Sequence, residues 1–143
     1  MNREELDALI AEIRAIRREV LAELNDLAES EFSLPITTST WKWDTVLRAL
    51  LQIGNHMREH ATHIQGLRAA LDRHPSQPQR ILAEAEVAWG TFLAALVGLS
   101  DADLDRAPDQ DAVALRRILE HVRNSEQDYL AAIQGARRKH TNQ

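Results

Sequence analysis

The sequence predicts an all-α protein, an up-down-up-down four-helix bundle with pseudo-two-fold symmetry made of two αα-hairpins. Three observations predict it. Apolar residues recur in alternating steps of three and four through four segments, the pattern of helices that each turn one face inward. Ala and Leu dominate the composition, while Gly 5 and Pro 4 leave few helix-breaking positions in 143 residues. An internal match, gapless over thirteen residues, also relates the two halves of the chain. The length is that of one domain, and residues 1–143 are read as a single one.

The first helix carries Leu6, Ile10, Ile13, Val20, Leu24 and Leu27, with Arg17 interrupting the seam and Asn2 with Glu5 as a capping pair at its start. The stretch from Ser30 to Lys42 is polar, contains Pro35 and reads as a loop. The second helix starts near Asp44, a suitable N-cap, and runs to about Asp72. Its seam is Val46, Leu50, Ile53, Met57, His60, Ile64, Leu67 and Leu71, so a histidine stands at a core position. Burying an imidazole without a partner costs about 1–3 kcal/mol. Pro75 and Pro78 end this helix, since each lacks an N–H and disfavours helix in the residue before it.

The third helix reads Leu82, Ala85, Trp89, Phe92, Leu96 and Leu99. Ser100 then caps a short extra turn, and the acidic stretch around Pro108 to Asp111 is a loop. The fourth helix carries Leu115, Ile118, Val122, Ser125, Tyr129 and Ala132. Its basic tail, Arg137-Arg138-Lys139-His140, suits the negative end of a helix dipole.

The internal match aligns Val20–Phe32 with Phe92–Leu104 at an offset of 72, with leucines at 21/93, 24/96 and 27/99. It resumes at an offset of 65, where Leu50, Ile53, His56 and Arg58 fall on Leu115, Ile118, His121 and Arg123. The first loop is therefore expected to be seven residues longer than the second. Two-fold symmetry about a bundle axis would then put His56 and His121 at one height on two parallel helices.

Composition removes several classes of function. With Cys 0, the chain has no disulfide scaffold, thiolate zinc finger, Fe–S cluster or cysteine nucleophile, and any metal must be held by His and carboxylate. A net charge of -5 argues against a dedicated nucleic-acid binder. No leading apolar core resembles a signal peptide and no long apolar run could span a membrane, so a soluble, cytoplasmic protein is expected.

Three of the six histidines, His56, His60 and His63, fall within eight residues. Residues four apart share one face of a helix, so His56 and His60 can grip one ion. His63 is seven residues from His56, roughly 10 Å along the axis, so the two cannot share it. The ion takes His56 with His60, or His60 with His63. The internal match favours the first pair and adds His121. Three imidazoles leave one position open for water or substrate, the pattern of catalytic zinc sites. Glu59 and Glu126 are the candidate groups to move a proton or orient a ligand imidazole.

Other metal classes lack required residues. A di-iron carboxylate bundle needs Glu-x-x-His twice, and the residues three before His56, His60, His63 and His121 are Ile53, Met57, His60 and Ile118. A hemerythrin-like site lacks histidines from the first and third helices. His56-Met57-Arg58-Glu59-His60 also matches the inverted zinc-protease string, but a bundle this small has little room for a peptide cleft.

The segment Leu115–Leu130, with Leu119, His121, Glu126 and Tyr129, resembles the LxxxLxHlxxxExxyl helix of the DinB/YfiT-like metalloenzyme superfamily. His56-x-x-x-His60-x-x-His63, followed by Gln65 and Gly66, is similar to that group's histidine-rich helix. With Trp41, Trp43 and the segment 96–104, the resemblance covers most of the chain. It implies a four-helix bundle holding a divalent metal such as zinc or nickel through an H-x-x-x-H pair and one further His, here His56, His60 and His121. It also implies dimers and, in some branches, thiol-dependent transferase or isomerase activity. The expected protein is thus a metal-dependent S-transferase or hydrolase acting on a small electrophile, with a low-molecular-weight thiol as co-substrate. The histidine-rich helix is second here and the single-histidine helix fourth, the reverse of the commoner order. Ser125 and Ile64 stand where some members carry histidine. The alternative is a non-catalytic, metal-free helical module for dimerisation or stress response, its histidines merely solvated.

Overall fold

The structure, a computed structural model, describes residues 3–37, 44–107, 109 and 112–141. Among the described residues there are four helices, α1 (Glu4–Leu24), α2 (Val46–Ala70), α3 (Gln77–Ala94) and α4 (Leu115–Thr141), with 3-10 turns at Glu29–Glu31 and Asp101–Asp103. No strand forms among the described residues; Pro35 and Thr45 make one isolated bridge. The class is therefore all-α, and the four described helices are compatible with the expected bundle. The chain divides into two compact units, Met1–Val97 and Gly98–Gln143.

The internal match reappears as hydrogen bonding. In the first unit the Ala28 N–H donates to Glu31 Oε2 at 2.8 Å, and in the second the Ser100 N–H donates to Asp103 Oδ2 at 2.9 Å. Each 3-10 turn closes with the same main-chain bonds, Phe32 N–H to Glu29 O and Leu104 N–H to Asp101 O. All these pairs keep the offset of 72 read from the sequence.

Each turn then feeds a helix start. Leu47 N–H donates to Phe32 O at 3.1 Å, and Arg116 N–H donates to Leu104 O at 2.9 Å. The turn thereby satisfies one of the amides that the first turn of a helix leaves without a partner. In α2, Val46 N–H also reaches Leu34 O and Arg48 N–H reaches Thr45 Oγ1. The equivalence of Leu47 with Arg116 sets the helix starts 69 residues apart, not 65. The first loop is three residues longer, not seven. Counted from these starts, His121 corresponds to Gln52 of α2, one turn nearer its helix start than His56 is. A shift of four residues keeps His121 on nearly the same helical face.

Helix ends depart from expectation in instructive ways. Thr45, extended at φ -137°, caps α2 in place of Asp44, whose carboxylate instead takes the Arg48 guanidinium at 3.1 Å. The end of α2 needs no proline: Arg73 N–H bonds to Arg68 O and Asp72 N–H to Ala69 O, the two bonds of a Schellman motif, with Asp72 at φ 51°. Ser76 and Gln79 form a reciprocal capping box at α3, Gln79 Oε1 accepting from Ser76 N–H at 2.9 Å. The first residue of the expected Asn2–Glu5 cap lies outside the described residues, as do Trp41, Trp43, Pro108 and Asp111.

Among the described residues no side chain is fully buried. Burial is greatest around the 3-10 turns. In the first unit Leu24, Leu27, Phe32, Ile36, Val46, Leu50 and Ile53 are half-buried; in the second, Leu104, Leu115, Leu119 and Val122 are. Farther along α2 the seam opens, and Met57, Ile64, Leu67 and Leu71 are 49% to 59% exposed.

Candidate metal centre

The histidines stand on the open half of α2. His56, His60 and His63 are all exposed, so His60 is not the buried seam residue that its periodicity suggested. Its partners come from its own helix instead. His60 Nε2 lies 2.8 Å from His56 Nε2, the rings meeting edge to face at 83° with centroids 4.3 Å apart. On its other side, His60 Nδ1 lies 3.2 Å from His63 Nδ1, with centroids 5.3 Å apart.

This arrangement has a definite chemistry. A neutral imidazole carries one N–H and one lone pair, so each contact requires one ring to donate and the other to accept. His60 cannot donate through both nitrogens while neutral. The three rings must therefore form a directed chain, running from His56 to His63 or the reverse.

The His56–His60 pair fits half of a metal site. Two nitrogens bound at 2.0–2.1 Å to one tetrahedral zinc ion stand about 3.3 Å apart. Rotation of exposed rings covers the difference from 2.8 Å. His63 does not join that ion, because His60 offers it the opposite nitrogen. Accordingly, no group of three or more His, Asp or Glu side chains is gathered as a metal cage among the described residues. His121, exposed on α4, belongs to the second unit.

The two carboxylates differ in placement. Glu59 precedes His60 by one residue, leaving α2 about 100° around from it and three residues after His56. Glu126 is on α4, five residues beyond His121. His63, which the internal match set aside, is the residue brought to the pair. Its signal in the sequence was the three-residue step from His60, a neighbour relation on any helix. His74 lies apart from these, its Nε2 3.2 Å from Asp72 Oδ1.

No helix among the described residues is long and apolar enough to cross a membrane. No protein-family model, curated protein or solved structure matches the chain.

Proposed function

We propose that the protein is a metal-dependent enzyme of the DinB-like type, in which His56, His60 and His121 hold a divalent ion such as zinc or nickel. The observation that carries this reading is the approach of His56 Nε2 to His60 Nε2 at 2.8 Å on one face of α2. Support comes from the histidine spacing of α2 and the His121-to-Tyr129 segment of α4, which resemble that superfamily. A bound cation lowers the pKa of a coordinated thiol or water, supplying a nucleophile near pH 7. With no cysteine in the chain, a thiol nucleophile arrives as a low-molecular-weight co-substrate. The acceptor is a small electrophile. Glu59, on the helix of the histidine pair, takes the nucleophile's proton, and Glu126 orients His121 or serves the same end from α4.

Turnover of a model electrophile by zinc-loaded, untagged protein with glutathione, mycothiol or bacillithiol tests the transferase. Activity lost in Glu59→Gln with metal retained supports the proton role. No turnover with any thiol rejects the transferase and leaves hydrolysis.

A second reading has its own observation. The exposed apolar residues of α2 suit a metal-free helical module that associates through its seams. It predicts that zinc, nickel and manganese leave the melting temperature unchanged, since only a ligand of the folded state raises it.

A further inference from the structure

The contact between His60 and His63 does more than tie two surface rings together. A histidine that binds metal through Nε2 must keep its proton on Nδ1, and the group that accepts this proton fixes the tautomer and the ring's direction. His60 directs Nε2 at His56 and Nδ1 at His63, with 3.2 Å between the two Nδ1 atoms. From this juxtaposition we infer that His63 is a positioning residue. It accepts the His60 Nδ1–H and holds His60 in the tautomer whose Nε2 lone pair faces the His56 ring. The inference rests on the metal reading of the His56–His60 pair, but it makes a separate statement about the protein without metal.

Direction follows from the tautomer. His60 Nδ1–H donates to His63 Nδ1, so His63 carries its own proton on Nε2. His60 Nε2 is then an acceptor, and His56 Nε2–H donates to it. Of the three rings, only His56 has to give up or relocate an Nε2 proton for the two facing nitrogens to bind one ion. The opposite direction would place a proton on His60 Nε2 and require a second rearrangement. His63 therefore belongs to the site without touching the ion. The three-residue step achieves this because it brings His63 to the far edge of the His60 ring, whereas the four-residue step brings His56 to the near edge.

Long-range 15N–1H NMR of the histidine rings, with zinc titration of the full chain, tests the inference. At about pH 8, where an ordinary imidazole is neutral, metal-free wild-type protein should show His60 protonated on Nδ1. His63→Ala should move that proton to Nε2 and weaken zinc binding by about 10- to 100-fold. His63→Gln, which keeps a carbonyl acceptor, should restore binding to within a few-fold of wild type, with equal helicity by circular dichroism in all three proteins. His60 protonated on Nε2 in wild type, or zinc affinity unchanged in His63→Ala, overturns the inference while the metal reading stands. Wild-type protein that binds no zinc overturns the metal reading, and the His60 tautomer then decides the positioning role alone.

Discussion

Asp105 and Arg116 are joined by two parallel hydrogen bonds, Arg116 Nε to Asp105 Oδ1 at 2.6 Å and Nη2 to Oδ2 at 2.8 Å. The guanidinium's planar fork matches the carboxylate and clamps the segment after the second 3-10 turn onto the start of α4. The main-chain bond from Arg116 N–H to Leu104 O lies beside it. Arg116→Lys replaces the fork with a point charge. Amide exchange in the first turn of α4 should then speed up severalfold while exchange near Tyr129 is unchanged. Equal exchange in the two proteins would mean that the main-chain bond alone fixes the junction.

The same junction responds to acid. Arg116's hydrogen bonds, and secondarily its charge, hold the Asp105 carboxyl below the ordinary aspartate value. Asp103 is lowered by hydrogen bonds from the Ser100 N–H and hydroxyl, with a smaller contribution from Arg106. A carboxylate whose folded value is depressed stabilises the fold fully above its unfolded value, and that stability is lost as pH falls through the folded value. Protection of the α4 start should therefore persist at mildly acidic pH and disappear only below the ordinary aspartate range. In Arg116→Ala the Asp105 midpoint, followed by carboxyl 13C shifts, should rise. A midpoint that does not move would show that the ion pair is absent in solution.

Asp72 occupies a left-handed backbone conformation, φ 51°, at the end of α2. For residues other than glycine this region costs roughly 1–2 kcal/mol, less for Asp, which hydrogen-bonds locally. Asp72→Gly should raise stability by about 0.5–1 kcal/mol in chemical denaturation. Gly98, at φ 85° with open space around its missing Cβ, gives the converse. Gly98→Ala should destabilise by about 1 kcal/mol through the backbone alone. Opposite signs at these two positions are the expected pattern. A stabilising Gly98→Ala would contradict the left-handed turn.

How much of this was legible in the sequence depends on the kind of signal. Helix identity was legible, because the seams through Leu50 and Leu115 repeat over several turns. The Ser100 cap and the 72-residue repeat were legible too, since a 3-10 turn with an acidic third residue is a local device, complete within Ala28–Glu31 and Ser100–Asp103. Helix ends were less so. Asp44 and Thr45 are both good caps; Asp44 O is held by the Ile36 N–H, and Thr45 is the one whose side chain meets the helix start. The repeat misled where it resumed, because matching apolar residues one turn apart share a face and fit either register. Among the site residues, spacing identified the His56–His60 pair. It left His60 with His63 open as the other pair; the internal match set His63 aside, and the ring that it meets is His60.

The start of α3 tests capping directly. Ser76 Oγ accepts from Gln79 N–H at 3.4 Å, while Gln79 Oε1 takes the Ser76 N–H. Ser76→Ala should cost about 1 kcal/mol, and Ser76→Asp should recover most of it. If alanine is neutral and aspartate no better, solvent rather than the serine satisfies the end of this helix.

The metal proposal turns on His56 and His60. Its most direct test is elemental analysis of untagged protein purified without a nickel column and dialysed against zinc, for wild type and His60→Ala. Near-stoichiometric zinc in wild type, lost in His60→Ala with helicity unchanged, is the expected result. Metal-free wild-type protein, or zinc retained in full by His60→Ala, would contradict it.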